Sequence, residues 1–222
     1  MSEPIHSSGG TIVSQHPALT SDEQKLADVW DEHLRAEFEA RSVNETLATM
    51  VANPRVHLAP VMLGGNGKEE VSEFYERFMS QIPKDTEIVP VSRTVGQGRV
   101  VEEIIFRFTH NVRMAWMLPG IPPTGKRVEI PLLIVIQFDG DKMAHEHLYW
   151  DQASVLVQLG MLAPGSLPVV GAESARSIID RSIPLNGLLR SSREPLARSP
   201  WPGARSSTGD AFKRVSDQRD RA

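Results

Sequence analysis

The chain has no cysteine among its 222 residues. That excludes disulfides, a thiol nucleophile and zinc–thiolate sites. No apolar run approaches the ~18 residues a membrane helix needs. Met1 to Thr20 also lacks the apolar centre of a secretory leader, so a cytoplasmic protein is expected. No Gly-x-Ser-x-Gly elbow is present, which argues against a serine hydrolase. Gly64-Gly65-Asn66-Gly67 lacks the Lys-Ser/Thr that completes a phosphate loop. The formal net charge is −4, so no basic field favours nucleic acid. Only the end of the chain is basic. From Ser174 onward ten Lys or Arg and five Asp or Glu give +5, against −9 for the rest.

The apolar content, 40%, suffices for one core. Composition divides the chain into a disordered segment at 1–20, a domain at 21–163, an extension at 164–190 and a disordered basic tail at 191–222. Within the domain three helices come first. Ser21-Asp22-Glu23-Gln24 resembles a capping-box start. Leu26, Val29, Trp30, His33, Leu34, Glu37 and Phe38 then form a helical stripe, on which His33 reads as core or pocket wall. Val43 to Val51 reads as a second helix, stopped by Asn53-Pro54. Lys68 to Ile82 is the third, with Val71, Phe74, Tyr75, Phe78 and Met79 on its buried side. Arg55 to Pro60 is a short strand, and Gly64 to Gly67 a turn.

Four longer strands follow: Thr86 to Val95, Arg99 to His110, Lys126 to Phe138 and Met143 to Trp150. On the second of these a period of two puts Val100, Glu102, Ile104, Phe106, Phe108 and His110 on one face. Glu102 and Glu103 cannot both face water on a regular strand. Arg113 to Gly125 is a loop rich in aromatics, Met and Pro, which must cover a pocket mouth or an interface. Val128 to Phe138 is apolar on both faces, as expected where one face meets helices and the other a second copy. A homodimer is the expectation.

The stretch richest in chemistry is Met143 to Gly160. Asp139-Gly140 turns the preceding strand back on itself. His145, Glu146, His147, Tyr149, Trp150 and Asp151 follow, and then the helical spacing of Val155, Leu156 and Leu159. Asp151 stands where strand hands over to helix, as an N-cap or as a pocket carboxylate. His147, Tyr149 and Asp151 share strand parity. His145 and His147 alone could converge on a metal, and no third ligand stands at clear spacing, so no metal is expected.

Gly120-Ile121-Pro122-Pro123-Thr124-Gly125-Lys126, Phe138-Asp139-Gly140, Tyr149-Trp150-Asp151 and Val157-Gln158-Leu159-Gly160 occur in an order that resembles the SnoaL-like family. The likeness runs from about Leu26 to Leu162. With Trp116-Met117-Leu118-Pro119 it is nearest the subgroup related to domains found beside dienelactone hydrolases. The resemblance implies an α+β cone, a curved and mostly antiparallel sheet with the three helices on its concave side. It implies a cofactor-free general acid/base enzyme acting on a hydrophobic carbonyl compound, as isomerase, cyclase, dehydratase or lactone hydrolase. The alternative is a non-catalytic ligand-binding or accessory domain of the same fold. The family's acid/base aspartate maps onto Asp151, with His147 and His110 as partners. The pocket wall is then expected to be Trp30, Phe38, Tyr75, Phe106, Trp116 and Tyr149.

Overall fold

The computed structural model describes residues 18–164 and 167–191. The expected disordered segments, 1–20 and 191–222, lie almost wholly outside them. Helix α1 spans Ser21–Leu34 and is capped by Thr20, one residue before the expected start; the Thr20 and Glu23 side chains bond each other's backbone N–H. Such reciprocal capping satisfies two donors that a helix start otherwise leaves free. The helix continues as a π-helical turn, Arg35–Ala40, and ends at Arg41 in the left-handed region. Helix α2 is Val43–Ala48 and α3 is Gly67–Ser80.

The strands are β1 Met50–Leu58, β2 Leu63–Asn66, β3 Glu87–Gly96, β4 Arg99–Thr109, β5 Arg127–Asp139 and β6 Lys142–Trp150. They form one sheet in the order β2-β1-β6-β5-β4-β3. Every pairing is antiparallel except β1 with β6. Helix α4, Gln152–Gln158, follows β6; α5, Glu173–Ile179, packs on β5 through Arg176 and Glu129. Contacts divide the chain after Ile183. The second unit, as far as described, holds the short helix α6, Gly187–Ser191.

Two local expectations are corrected. The second helix stops at Ala48, and Met50 and Val51, expected at its end, instead open the strand Met50–Leu58, which begins before the expected Arg55. Pro54 is tolerated there because the β1–β6 register shifts between Met50 and Arg55, and a bulge removes the ladder bond that proline cannot make. Leu63 to Asn66 is a strand rather than a turn. Its glycines are demanded by packing. A Cβ on Gly65 would lie 2.6 Å from the backbone carbon of Glu70, and one on Gly64 would collide with the Val56 carbonyl oxygen.

The core lies between the helices and the concave face of the sheet. Val100, Ile104, Phe106 and Phe108 of β4, and Val128, Ile130, Leu132, Ile134 and Ile136 of β5, are all buried. They are the sets that period-two reading assigns to one face. Loop 113–125 turns inward, burying Met114, Trp116, Met117 and Leu118. Trp116 packs edge-on against Phe78 at 5.0 Å between ring centres. Glu102 is the buried member of the Glu102–Glu103 pair. It accepts from Trp30 Nε1 at 2.5 Å and from Arg93 Nη2 at 2.7 Å.

Gly64→Ala is expected to lower stability by more than ~1 kcal/mol, because its φ of 134° and the Val56 carbonyl both exclude a side chain. Thermal denaturation beside Gly120→Ala, where an added Cβ would touch nothing within 4 Å, separates packing from backbone conformation.

Candidate functional site

One end of α1, its π-helical extension, α3 and β6 meet in a buried polar cluster. His33 and Glu37 stand four residues apart on the inner side of the first helix. His33 Nε2 lies 3.1 Å from Glu37 Oε1 and 3.8 Å from Glu146 Oε2. Tyr75 of α3 donates its hydroxyl to Glu146 Oε2 at 3.1 Å and stands 3.1 Å from His33 Nε2. His33, Glu37, Tyr75 and Glu146 are all at most 4% exposed.

The tautomer of His33 follows from its other nitrogen. Thr49 Oγ1 donates to the Thr46 carbonyl at 2.7 Å, so its one proton is used there. It therefore accepts from His33 Nδ1, 2.6 Å away. That leaves Nε2 facing Glu37 and Tyr75. A bare nitrogen lone pair opposite a carboxylate at this distance is repulsive, so a proton lies between them.

The electrostatics agree. Burial alone pushes the His33 imidazole down, but the charge and hydrogen bond of Glu37, then the charge of Glu146, outweigh it and leave it raised. Glu146 is pushed up to about 7, first by burial, then by the nearby Glu37 charge; His33 and the Tyr75 hydroxyl oppose the rise. Tyr75 is held well above the ordinary phenol range by burial and then by Glu146 and Glu37, so it remains a donor.

The cluster borders a cavity. Glu37, Tyr75 and Glu146 line it, and nearly all the remaining wall is apolar: Trp30, Leu34, Phe38, Phe74, Phe78, Ile104, Phe106, Trp116, Leu132, Ile134 and others. Space open to a water-sized sphere is about 40 Å³. A ligand of more than a few atoms would have to displace wall side chains, of which Leu34, Phe38, Phe74, Ile88 and Leu148 are the partly exposed ones.

Five of the six expected wall residues, Trp30, Phe38, Tyr75, Phe106 and Trp116, line this cavity. Tyr149 does not. It is 44% exposed on the opposite face, paired with Leu133. Asp151 is exposed and caps α4, accepting from Ala153 N at 2.9 Å. His147 lies on the outer face beside His57 and His145. Its pKa is lowered by burial and then by His145, Arg55 and His57. His110 shares the inner face of β4, is fully buried and bonds Thr124 Oγ1 at 3.2 Å, but does not line the cavity. Burial lowers its pKa.

Asp151 lies past the end of the strand as the cap of α4, and His147 and Tyr149 share the face of β6 that points away from the cavity. A bulge decides this. Phe138 pairs with Met143 and Gln137 with His145, so Ala144 is the extra residue. Met143 is inward before it, and Glu146 and Trp150 are inward after it. A strand counted in twos from Met143 would place His145 and His147 inside instead.

Glu37 and Glu146 are the cavity-lining carboxylates that motif reading passed over. Their signals were present: Glu37 is a carboxylate on an apolar helical stripe, four after a histidine, and Glu146 shares parity with Trp150. His33, Glu37 and Glu146 also bring one ligand atom each within 4.8 Å of one another, a set that could hold a divalent cation. The hydrogen bonds above satisfy the same atoms with protons alone.

The fold and site define an α+β cone protein with a largely apolar pocket and an acid/base cluster at its wall. The profile of the SnoaL-like polyketide cyclases matches residues 23–159, and the chain belongs to that family. Among solved structures, a protein from Jannaschia sp. CCS1 assigned as a SnoaL-like polyketide cyclase is 16% identical. It superposes with a TM-score of 0.52 over 67% of this chain and 100% of its own. TsrD from Streptomyces laurentii is 17% identical, with a TM-score of 0.51 over 64% of this chain and 100% of its own. At these identities the likeness shows the fold. No curated protein matches the sequence. Among the described residues no helix is long and apolar enough to cross a membrane.

The raised pKa values of Glu146 and His33 both mean that the folded chain holds protons more tightly than the unfolded one. Their stabilising contribution is therefore fully present below the unfolded carboxylate and imidazole values and is lost as pH rises past the folded ones. His110, His145 and His147, with lowered pKa values, act in the opposite direction in wild type and variant alike, so the difference isolates Glu146. The melting temperature of Glu146→Gln relative to the wild type should rise from pH 5 to pH 8, and a constant difference would contradict a buried, protonatable Glu146.

Proposed function

We propose that this protein is a cofactor-free general acid/base enzyme acting on a hydrophobic carbonyl compound, with Glu146 as the base. The observation that carries the reading is a buried carboxylate, held up to about 7, on the wall of an otherwise apolar cavity. Such a group is partly ionised near neutral pH and basic enough to take a proton from carbon next to a carbonyl. Glu146 would remove that proton, leaving an enolate. Returning it to another carbon is isomerisation; attack of the enolate carbon on a second carbonyl is cyclisation. Tyr75 orients the carboxylate through its hydroxyl. The His33 charge favours ionisation of Glu146, while the Glu37 charge opposes it and keeps the carboxylate basic.

This reading moves the acid/base role from Asp151 to Glu146, since Asp151 is exposed to water and its oxygen serves the helix cap. The membership of the chain in a polyketide cyclase family supports the reaction class.

Glu146→Gln keeps shape and hydrogen bonding but removes the base. On a panel of hydrophobic enones, β-dicarbonyl compounds and lactones, turnover should fall ~100-fold or more, while Asp151→Asn should change it little. Wild-type kcat/KM should rise with pH through an apparent pKa near 7. Turnover that survives Glu146→Gln would overturn Glu146 as the base, and a wild type that binds these compounds without turning any over would favour the non-catalytic reading.

We further propose a homodimer through the outer face of the sheet. Leu133 and Tyr149, neighbours across β5 and β6, are 40% and 44% exposed there. Leu133→Glu should convert a dimer to a monomer in sedimentation, and a monomeric wild type at micromolar concentration would sink the idea.

A further inference from the structure

The described chain contains three indole N–H groups, and two have acceptors. Trp30 Nε1 donates to Glu102 and Trp150 Nε1 to Gln152 Oε1 at 2.6 Å. The third, Trp116 Nε1, is shielded from solvent and has no hydrogen-bond partner. A buried donor left unpaired is costly, and proteins rarely keep one without use.

Trp116 is 5% exposed and its ring lines the cavity that Glu37 and Glu146 also face. It also borders an outer groove beside Glu73 and Arg77, yet a donor turned outward there would be hydrated. The ring is held at the cavity wall by edge-on contacts with Phe78, Phe106 and Trp150. Phe78 stands between it and Tyr75, whose hydroxyl touches Glu146. The cavity wall thus holds an acceptor cluster at Glu37 and Glu146 and, one ring away, the indole that carries the unused donor.

We infer that Trp116 Nε1 is the hydrogen-bond donor for the carbonyl oxygen of the ligand. The ligand class that fits is a largely apolar, ring-bearing ketone with an sp3 C–H next to its carbonyl. Its oxygen accepts from Trp116 while its acidic C–H faces Glu146. When the proton leaves, the C–H electron pair moves into the new C=C bond and the carbonyl π pair moves onto oxygen. The indole N–H is then aimed at the atom that gains charge, where a donor is worth more than in the ground state. The inference deepens the acid/base reading and rests on the same cavity holding the ligand.

Binding, rather than turnover, tests it apart from the role of Glu146. The probes are acetonaphthone and ethylnaphthalene, which share a flat apolar body and differ in one carbonyl. Calorimetric titration should show the ratio of ketone to hydrocarbon affinity falling ~10-fold from wild type to Trp116→Phe, as loss of one buried hydrogen bond implies. Hydrocarbon affinity itself should change little. In the unmodified protein the Trp116 indole proton resonance should move downfield with the ketone and not with the hydrocarbon, which needs no variant to fold. An unchanged affinity ratio, a resonance that ignores the ketone, or a wild type that binds neither probe would overturn the proposal. The indole N–H would then be spending itself on the face of the Phe78 ring.

Discussion

Everything around the cavity depends on how a carboxylate can sit in an apolar wall. Glu146 is 3% exposed, and an isolated ion there would cost several kcal/mol. The fold meets that cost with the Tyr75 hydroxyl and the His33 imidazole, whose charge Glu37 in turn supports. Each of these comes from a different place: α3, the end of α1 and the π-helical turn. The three-helix layer is therefore tied to the sheet by the same bonds that tune the carboxylate.

The π-helical turn at Arg35–Ala40 fits this account. The turn holds Glu37 inward beside His33, while Phe38 on the cavity wall stays partly exposed. Such turns interrupt α-helices at functional sites, because they change which residues share a face without ending the helix. A second anchored pair lies nearby. Trp30 stacks on His33 with ring centres 5.6 Å apart, and its N–H is fixed by Glu102. Glu102 is in turn neutralised by Arg93, which also reaches Asp31 of α1 at 2.8 Å. The imidazole is thus held from one side by Thr49 and on its face by a clamped indole.

Much of this was written locally. The period-two pattern of Val100 to His110 and of Val128 to Phe138 fixed which residues face inward, because strand side chains alternate whatever the partner. The stripe from Leu26 to Phe38 placed Trp30, His33 and Glu37 on one side of a helix for the same kind of reason. The inward turn of Trp116 followed from a loop too apolar to lie in water.

Which face of β6 is inside was a tertiary decision. Sequence parity grouped His147 with Tyr149 and Asp151, and grouped Glu146 with Trp150, but both groupings are mixtures of polar and apolar side chains. One residue of bulge at Ala144, forced by pairing with Phe138 and Gln137 of β5, chose between them. The same holds for the meeting of His33, Tyr75 and Glu146, which are 42 and 71 residues apart along their two bonds. Local pattern determined the strands, the helices and the side each residue takes within its element. Only the packing of α1 and α3 against a bulged strand determined which polar residues share a buried point, because that depends on register between distant segments and no single segment contains it.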